Sequence, residues 1–143
     1  MDTRTAVFKL DGEGFNVEVP SGNLRIGKGA LSPMELMLVS IGGCTAMDVQ
    51  SILSKMRYSF GMEVVVEGKR REEHPRIYTH ITITYTVEGD VPQRAVERAV
   101  GLSLNRYCSA TAMVSRVSNI EYVIILNGKE VKRGKKEPLA DKG

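Results

Sequence analysis

Ser32-Pro33-Met34-Glu35-Leu36-Met37-Leu38-Val39-Ser40-Ile41-Gly42-Gly43-Cys44-Thr45-Ala46-Met47-Asp48-Val49 is the stretch on which the reading of this chain turns. It opens with a strong helix start: Ser32 as N-cap, Pro33 at the first helical position and Glu35 at the third, where its carboxylate can reach back to Ser32. From Leu36 to Met47 the run is apolar all round rather than striped, so the helix, expected to run to Arg57, must be covered on every side. Each of Gly42 and Gly43 costs about 1 kcal/mol against alanine inside a helix. Their presence calls for a close approach, most simply by another backbone. A single chain of 143 residues has few elements to wrap such a helix, which leads us to expect a partner subunit.

Working outward, the N-terminal side reads as a small meander. Strands are expected at Thr5 to Leu10, Phe15 to Val19 and Leu24 to Ile26, with turns at Asp11-Gly12-Glu13-Gly14 and Pro20-Ser21-Gly22-Asn23. On the C-terminal side, Met62 to Glu67 and Tyr78 to Val87 are strands joined by a charged bend, Lys69 to Arg76. In the second of them Ile81, Ile83, Tyr85 and Val87 alternate with Thr82, Thr84 and Thr86, giving one apolar face. Asp90 to Pro92 opens a second helix with Val96, Ala99, Val100, Leu104 and Tyr107 at helical spacing and Cys108 at its end. Ser109 can cap a further short helix to Arg116, and Ile120 to Leu126 is a last apolar strand before the turn Asn127-Gly128. The fold class is therefore α+β, in one domain over residues 1–143, with about 128–143 as a basic and partly disordered tail.

Composition narrows the function classes. The formal charge of +3 is accounted for by residues 128–143, where Lys129, Lys132, Arg133, Lys135, Lys136 and Lys142 face Glu130, Glu137 and Asp141. The body is neutral and shows no basic face with aromatic readers, so nucleic acid is not the expected partner. Met1-Asp2-Thr3-Arg4 lacks a signal-peptide pattern, and the longest uncharged apolar-rich run, Leu36 to Met47, has 12 residues against the roughly 20 a membrane span needs. We expect a soluble, cytoplasmic protein.

The two cysteines, Cys44 and Cys108, both lie beside small residues. In a reducing compartment such a pair points to thiols that act together rather than to a permanent disulfide, although buried cysteines also serve as plain core residues. Cys44, in mid-helix, needs a cation from elsewhere in the fold to favour its thiolate; Cys108, at a helix start, would have backbone N–H groups for that purpose. On the face of Cys44 lie Met37, Ser40, Ile41, Met47, Asp48 and Ser51. Asp48 would raise a neighbouring thiol's pKa, or else bond locally to Ser51 or a backbone group. His74 and His80 have no ligand spacing to the cysteines, so no metal site is read from the sequence.

Ser32-Pro33-Met34-Glu35-Leu36 followed by Gly42-Gly43-Cys44-Thr45-Ala46-Met47-Asp48-Val49, with Arg71-Glu72-Glu73-His74-Pro75-Arg76 and Arg106-Tyr107-Cys108-Ser109, resembles the OsmC/Ohr family, from about Leu24 to Tyr122. The resemblance implies an intertwined α+β homodimer with long central cysteine-bearing helices flanked by antiparallel-rich sheets. It also implies thiol-dependent reduction of organic hydroperoxides, and more weakly of hydrogen peroxide, as an antioxidant defence. By that analogy Cys44 is the peroxidatic thiolate and Cys108 resolves its sulfenic acid as a disulfide, which a dithiol such as a lipoylated protein or a small thiol then reduces. No metal, haem or flavin is implied.

The family's arginine that holds the thiolate comes from the N-terminal strands, where Arg25 and Arg4 both qualify and Arg25 sits just before the loop into the cysteine helix. The family's helix usually begins Pro-Glu. Here Met34 follows Pro33, and Glu35, one residue later, is either the catalytic carboxylate or only the capping partner of Ser32. A non-catalytic or sensory dimer that binds a small molecule, and an adaptor for nucleic acid or acidic partners acting through Lys129 to Lys136, are the competing readings.

Overall fold

A computed structural model describes residues 2–140. The chain, read from its length as one domain, forms two compact units, Met1–Met37 and Leu38–Gly143. The first holds an antiparallel meander, β1 (Val7–Asp11), β2 (Gly14–Val19) and β3 (Gly22–Gly27), in that order. Gly12, at φ +64°, makes the turn between β1 and β2. A side chain at Gly14 would meet the Ile26 carbonyl oxygen at 2.5 Å, so close pairing of β2 with β3 requires glycine there. The unit ends in the first turn of α1 (Pro33–Lys55). There the expected box closes: the Ser32 N–H donates to Glu35 Oε1 at 2.9 Å and the Glu35 N–H donates to Ser32 Oγ at 3.1 Å.

The second unit is built on a sheet of order β4-β5-β6-β7: β4 (Gly61–Arg70), β5 (Tyr78–Glu88), β6 (Asn119–Leu126) and β7 (Lys129–Lys136). All neighbours are antiparallel except β5 and β6, which run parallel. A parallel pair needs a crossover, and α2 (Gln93–Leu102), a π-helical turn (Ser103–Tyr107) and α3 (Ser109–Val114) supply it. The alternation read from β5 is the core: Ile81, Ile83, Tyr85 and Val87 are buried, together with Val96, Ala99 and Val100 of α2.

Within this one chain the long helix is covered on one side only, and three other expectations are corrected below. The helix buries one stripe, Ile41, Thr45, Val49 and Leu53, and leaves Val39 62% and Met47 70% exposed. Gly42 is needed for the close approach of a side chain and not of a backbone, since a Cβ there would meet Val66 Cγ2 of β4 at 2.8 Å, while Gly43 has open space.

The basic segment read as a partly disordered tail is largely the edge strand β7. Its Gly134 lies opposite Tyr122, where a Cβ would meet the phenol oxygen at 2.6 Å. Lys132 pairs with Glu97 of α2 at 3.2 Å. Charged side chains on an edge strand also discourage unwanted pairing with other chains. Asp141, Lys142 and Gly143 of that segment lie outside the described residues.

The third correction concerns the membrane criterion. By length and composition α1 could cross a bilayer. Hydrogen bonds that link its Thr45 and Asp48 to Tyr85 of β5 and Ser103 of the crossover make it a packed helix of the second unit.

Candidate functional site

The polar groups of α1 explain how the site is held. Thr45, fully buried, shares hydrogen bonds of 2.7 Å with the Tyr85 hydroxyl of β5 and with Ser103 Oγ of the π-turn. Ser103 Oγ donates to Asp48 Oδ2 at 2.8 Å. A carboxylate only accepts, and each hydroxyl has one proton, so the chain has one direction: Tyr85 donates to Thr45, Thr45 to Ser103, Ser103 to Asp48. Burial, above all, pushes the Tyr85 pKa far up, which keeps the phenol protonated as the first donor. A buried hydroxyl left unpaired costs about 1–3 kcal/mol. The network therefore fixes α1 against β5 and fixes the Asp48 carboxylate on α1. Sequence reasoning placed Asp48 beside Ser51 or a backbone group and did not identify Ser103, because its partner lies 55 positions away.

The π-turn decides where Cys108 points. The Cys108 N–H donates to the Ser103 carbonyl at 2.7 Å, the wider spacing of a π-turn. This extra residue turns Tyr107, expected on the buried face, outward to 54% exposure, and turns Cys108 inward. The guanidinium of Arg106 stacks 5.6 Å from the Tyr107 ring centre. Cys108, and not Ser109, is then the N-cap of α3, its Sγ accepting from the Thr111 N–H at 3.4 Å.

Those N–H groups were expected to favour the Cys108 thiolate. They do pull its pKa down, but burial outweighs them and the neighbouring Cys44 adds to it, so the Cys108 thiol is held up as S–H. Cys44 is half-buried, and both cysteines are reduced.

The fold brings Cys44 and Cys108 together: both sulfurs and an Asp48 oxygen lie within 4.8 Å of one another. A cavity of about 580 Å³ shares Asp48 with this group and is otherwise lined by Ser51, Ile52, Met56, Leu102 and Tyr107, with Lys55 and Arg98 as its cations. Of the residues on the face of Cys44, Asp48 and Ser51 line this cavity. Ile41 is buried in the core, and Met37 and Met47 are exposed.

The other two residues singled out belong to the first unit. Arg25 donates to the Asp11 carbonyl at 2.9 Å, to Asn16 Oδ1 at 3.0 Å and to Asp11 Oδ2 at 3.3 Å. Glu35 is engaged in the capping box with Ser32. Arg4 pairs with Asp2 at 3.0 Å.

An α1 helix carrying a half-exposed thiol against a buried one, packed on a mixed sheet with a helical crossover, is the frame of a two-cysteine α+β protein. Residues 26–123 match the family model described as OsmC-like protein, and the chain belongs to that family. It is 46% identical over 98 residues to Protein YhfA of Escherichia coli K12, spanning 67% of this chain and 73% of that one. A crystal structure of a hypothetical protein from Aquifex aeolicus superposes with a TM-score of 0.84 at 38% identity, covering 88% of this chain and 97% of the other. An organic hydroperoxide resistance protein OsmC from Legionella pneumophila shares the fold at 13% identity and a TM-score of 0.64, covering 87% and 98%.

Proposed function

We propose that this protein is a cysteine-based hydroperoxide reductase that protects the cytoplasm against organic peroxides. The observation that carries the reading is the reduced pair itself: a half-exposed Cys44 with its sulfur within 4.8 Å of the buried Cys108 sulfur. Proteins that share this fold include organic hydroperoxide resistance proteins of Legionella pneumophila and Bacillus subtilis, which supports it.

In the proposed cycle the Cys44 thiolate attacks the distal peroxide oxygen. An S–O bond forms as the O–O bond breaks, and the alkoxide takes a proton to leave as an alcohol. The Cys44 sulfenic acid then condenses with Cys108, releasing water and forming the disulfide. A dithiol, a lipoyl protein or a small thiol, attacks the disulfide and restores both thiols by two exchanges. The division of roles follows accessibility: Cys44 meets the substrate, and Cys108, kept protonated by burial, waits for the sulfenic acid. A disulfide is about 2.0 Å long, so the sulfurs close the remaining gap by side-chain rotation.

Ile52, Met56, Leu102 and Tyr107 give the substrate cavity an apolar wall, and each buried CH₂ adds about 0.8 kcal/mol, which favours bulky alkyl hydroperoxides over hydrogen peroxide. Arg25 and Glu35 are assigned by family resemblance to hold the thiolate and to assist proton transfer. A homodimer completes the molecule, a reading supported by the uncovered apolar faces of α1 and of the meander.

The test is turnover of cumene hydroperoxide and of hydrogen peroxide by the reduced protein with a dithiol donor, beside Cys44→Ser. Fast turnover of the cumene substrate that Cys44→Ser abolishes is the expected result. Unchanged consumption in Cys44→Ser removes the mechanism, and equal rates for the two peroxides remove the apolar preference.

A further inference from the structure

The fold assembles what the sequence spacing does not reveal, a three-ligand set. Cys44 Sγ, an Asp48 carboxylate oxygen and Cys108 Sγ lie within 4.8 Å of one another, the one such group among the described residues. Cys44 and Asp48 stand one turn apart on α1, where side chains at i and i+4 meet on one face. Cys108 approaches from the N-cap of α3. The supporting contacts are those of a ligating centre: Ser103 donates to the Asp48 carboxylate at 2.8 Å and Thr111 N–H to the Cys108 sulfur at 3.4 Å. Metal-binding carboxylates are held by such outer hydrogen bonds.

We propose that the protein, with both cysteines reduced, binds one thiophilic divalent cation of the Zn²⁺ type through Cys44, Asp48 and Cys108. Two thiolates and one carboxylate select a borderline-soft ion over Mg²⁺ or Ca²⁺, which require oxygen ligands throughout. Zn–S of about 2.3 Å and Zn–O of about 2.1 Å place tetrahedral ligand atoms about 3.5–3.8 Å apart. The ligand atoms reach that spacing by small rotations of side chains already in place. Three protein ligands leave a fourth position for water or a small ligand.

Binding replaces two thiol protons by the metal and releases them to solvent. Forming the Cys44–Cys108 disulfide, with loss of two protons and two electrons to an oxidant such as a hydroperoxide or diamide, removes both thiolates. The metal-bound and disulfide forms therefore exclude one another, and metal protects the thiols from oxidation. The site uses the two sulfurs of the proposed peroxidase, but metal binding needs no peroxide turnover, so its failure and the failure of that reading are read separately.

The experiment is a titration of the untagged, reduced, full-length protein with Co²⁺ under anaerobic conditions, followed by displacement with Zn²⁺. One equivalent is expected to give intense tetrahedral d–d bands and thiolate-to-cobalt charge transfer, which Zn²⁺ abolishes. Cys44→Ser and Cys108→Ser are each expected to remove the charge-transfer signature. Asp48→Asn, close to isosteric, keeps thiolate coordination but weakens Co²⁺ binding by at least about tenfold, and Ser103→Ala by about tenfold. Protein oxidised by diamide binds no metal. The proposal is overturned by the absence of saturable one-to-one binding, by a spectrum unchanged in either cysteine variant whose far-UV circular dichroism matches wild type, or by affinity unaffected by Asp48→Asn.

Discussion

The meander of β1, β2 and β3 and the sheet of β4 to β7 are made of similar strands and use them in opposite ways. In β5 the alternation puts Ile81, Ile83, Tyr85 and Val87 into a sealed core. In the meander Phe8 is 56% and Leu10 74% exposed, although Phe8 and Phe15 pack edge to face at 6.5 Å. Three strands need an apolar face packed on something to be stable in water. The larger unit therefore holds Cys44, Asp48 and Cys108 on its own helices, packed on its own sheet, while the meander keeps an apolar face exposed, the face that the proposed homodimer would cover.

The sharpest way to break that contrast is to truncate both faces. Ile83→Ala empties the core and is expected to cost about 2–5 kcal/mol in denaturant unfolding. The pair Phe8→Ser and Leu10→Ser is expected to leave the unfolding of the second unit nearly unchanged and to lower the sedimenting mass from two chains to one. A meander variant that destabilises as much as Ile83→Ala, with no change in mass, would dissolve the distinction.

Next in size is the hydroxyl chain. Thr45→Val keeps the shape and removes both bonds, leaving the Tyr85 hydroxyl buried without its acceptor and Ser103 without its donor. A loss of about 1–3 kcal/mol is expected. Adding Tyr85→Phe should return part of it, because the orphaned hydroxyl goes too; strict additivity in the double-mutant cycle would show that the two side chains are not coupled.

A smaller effect belongs to Gly42. Gly42→Ala gains helix propensity, about 1 kcal/mol, but drives a methyl into Val66 Cγ2 of β4. Over-packing costs about 1–3 kcal/mol, so net destabilisation of about 1 kcal/mol is expected, relieved when Val66→Ala is added. If Gly42→Ala raises the melting temperature instead, α1 and β4 are less tightly apposed than their spacing implies.

What was legible in the sequence was what neighbours along the chain decide. The Ser32-Pro33-Glu35 start, the alternation in β5, the turn at Gly12 and the two cysteines beside small residues are all local patterns, and each can be read within a few residues. What escaped depended on partners distant in sequence. The segment Lys129–Lys136 reads as solvated charge until Tyr122 is placed over Gly134 and Glu97 against Lys132. The direction of Cys108 depends on a single i−5 hydrogen bond in the π-turn, which exchanges its place with Tyr107. Helical periodicity carried past Leu104 assigns that inward place to Tyr107, because nothing in Ser103 to Tyr107 announces the extra residue. The metal-type grouping of Cys44, Asp48 and Cys108 is invisible for the same reason: its third member arrives across the fold.

The smallest effect distinguishes the two units by pH. The Ser32 backbone N–H and then its hydroxyl contact hold the exposed Glu35 carboxyl below the usual carboxylate range. A folded-state pKa depressed in this way adds stability that is present above the unfolded value and is lost as pH falls through the folded one. Glutamine at this position still accepts from Ser32 but lacks the charge that favours a helix N-terminus. Wild type should therefore melt slightly above Glu35→Gln at neutral pH, with the gap closing on acidification below the usual carboxylate range. A gap that persists in acid would place the contribution of Glu35 in contacts other than this cap.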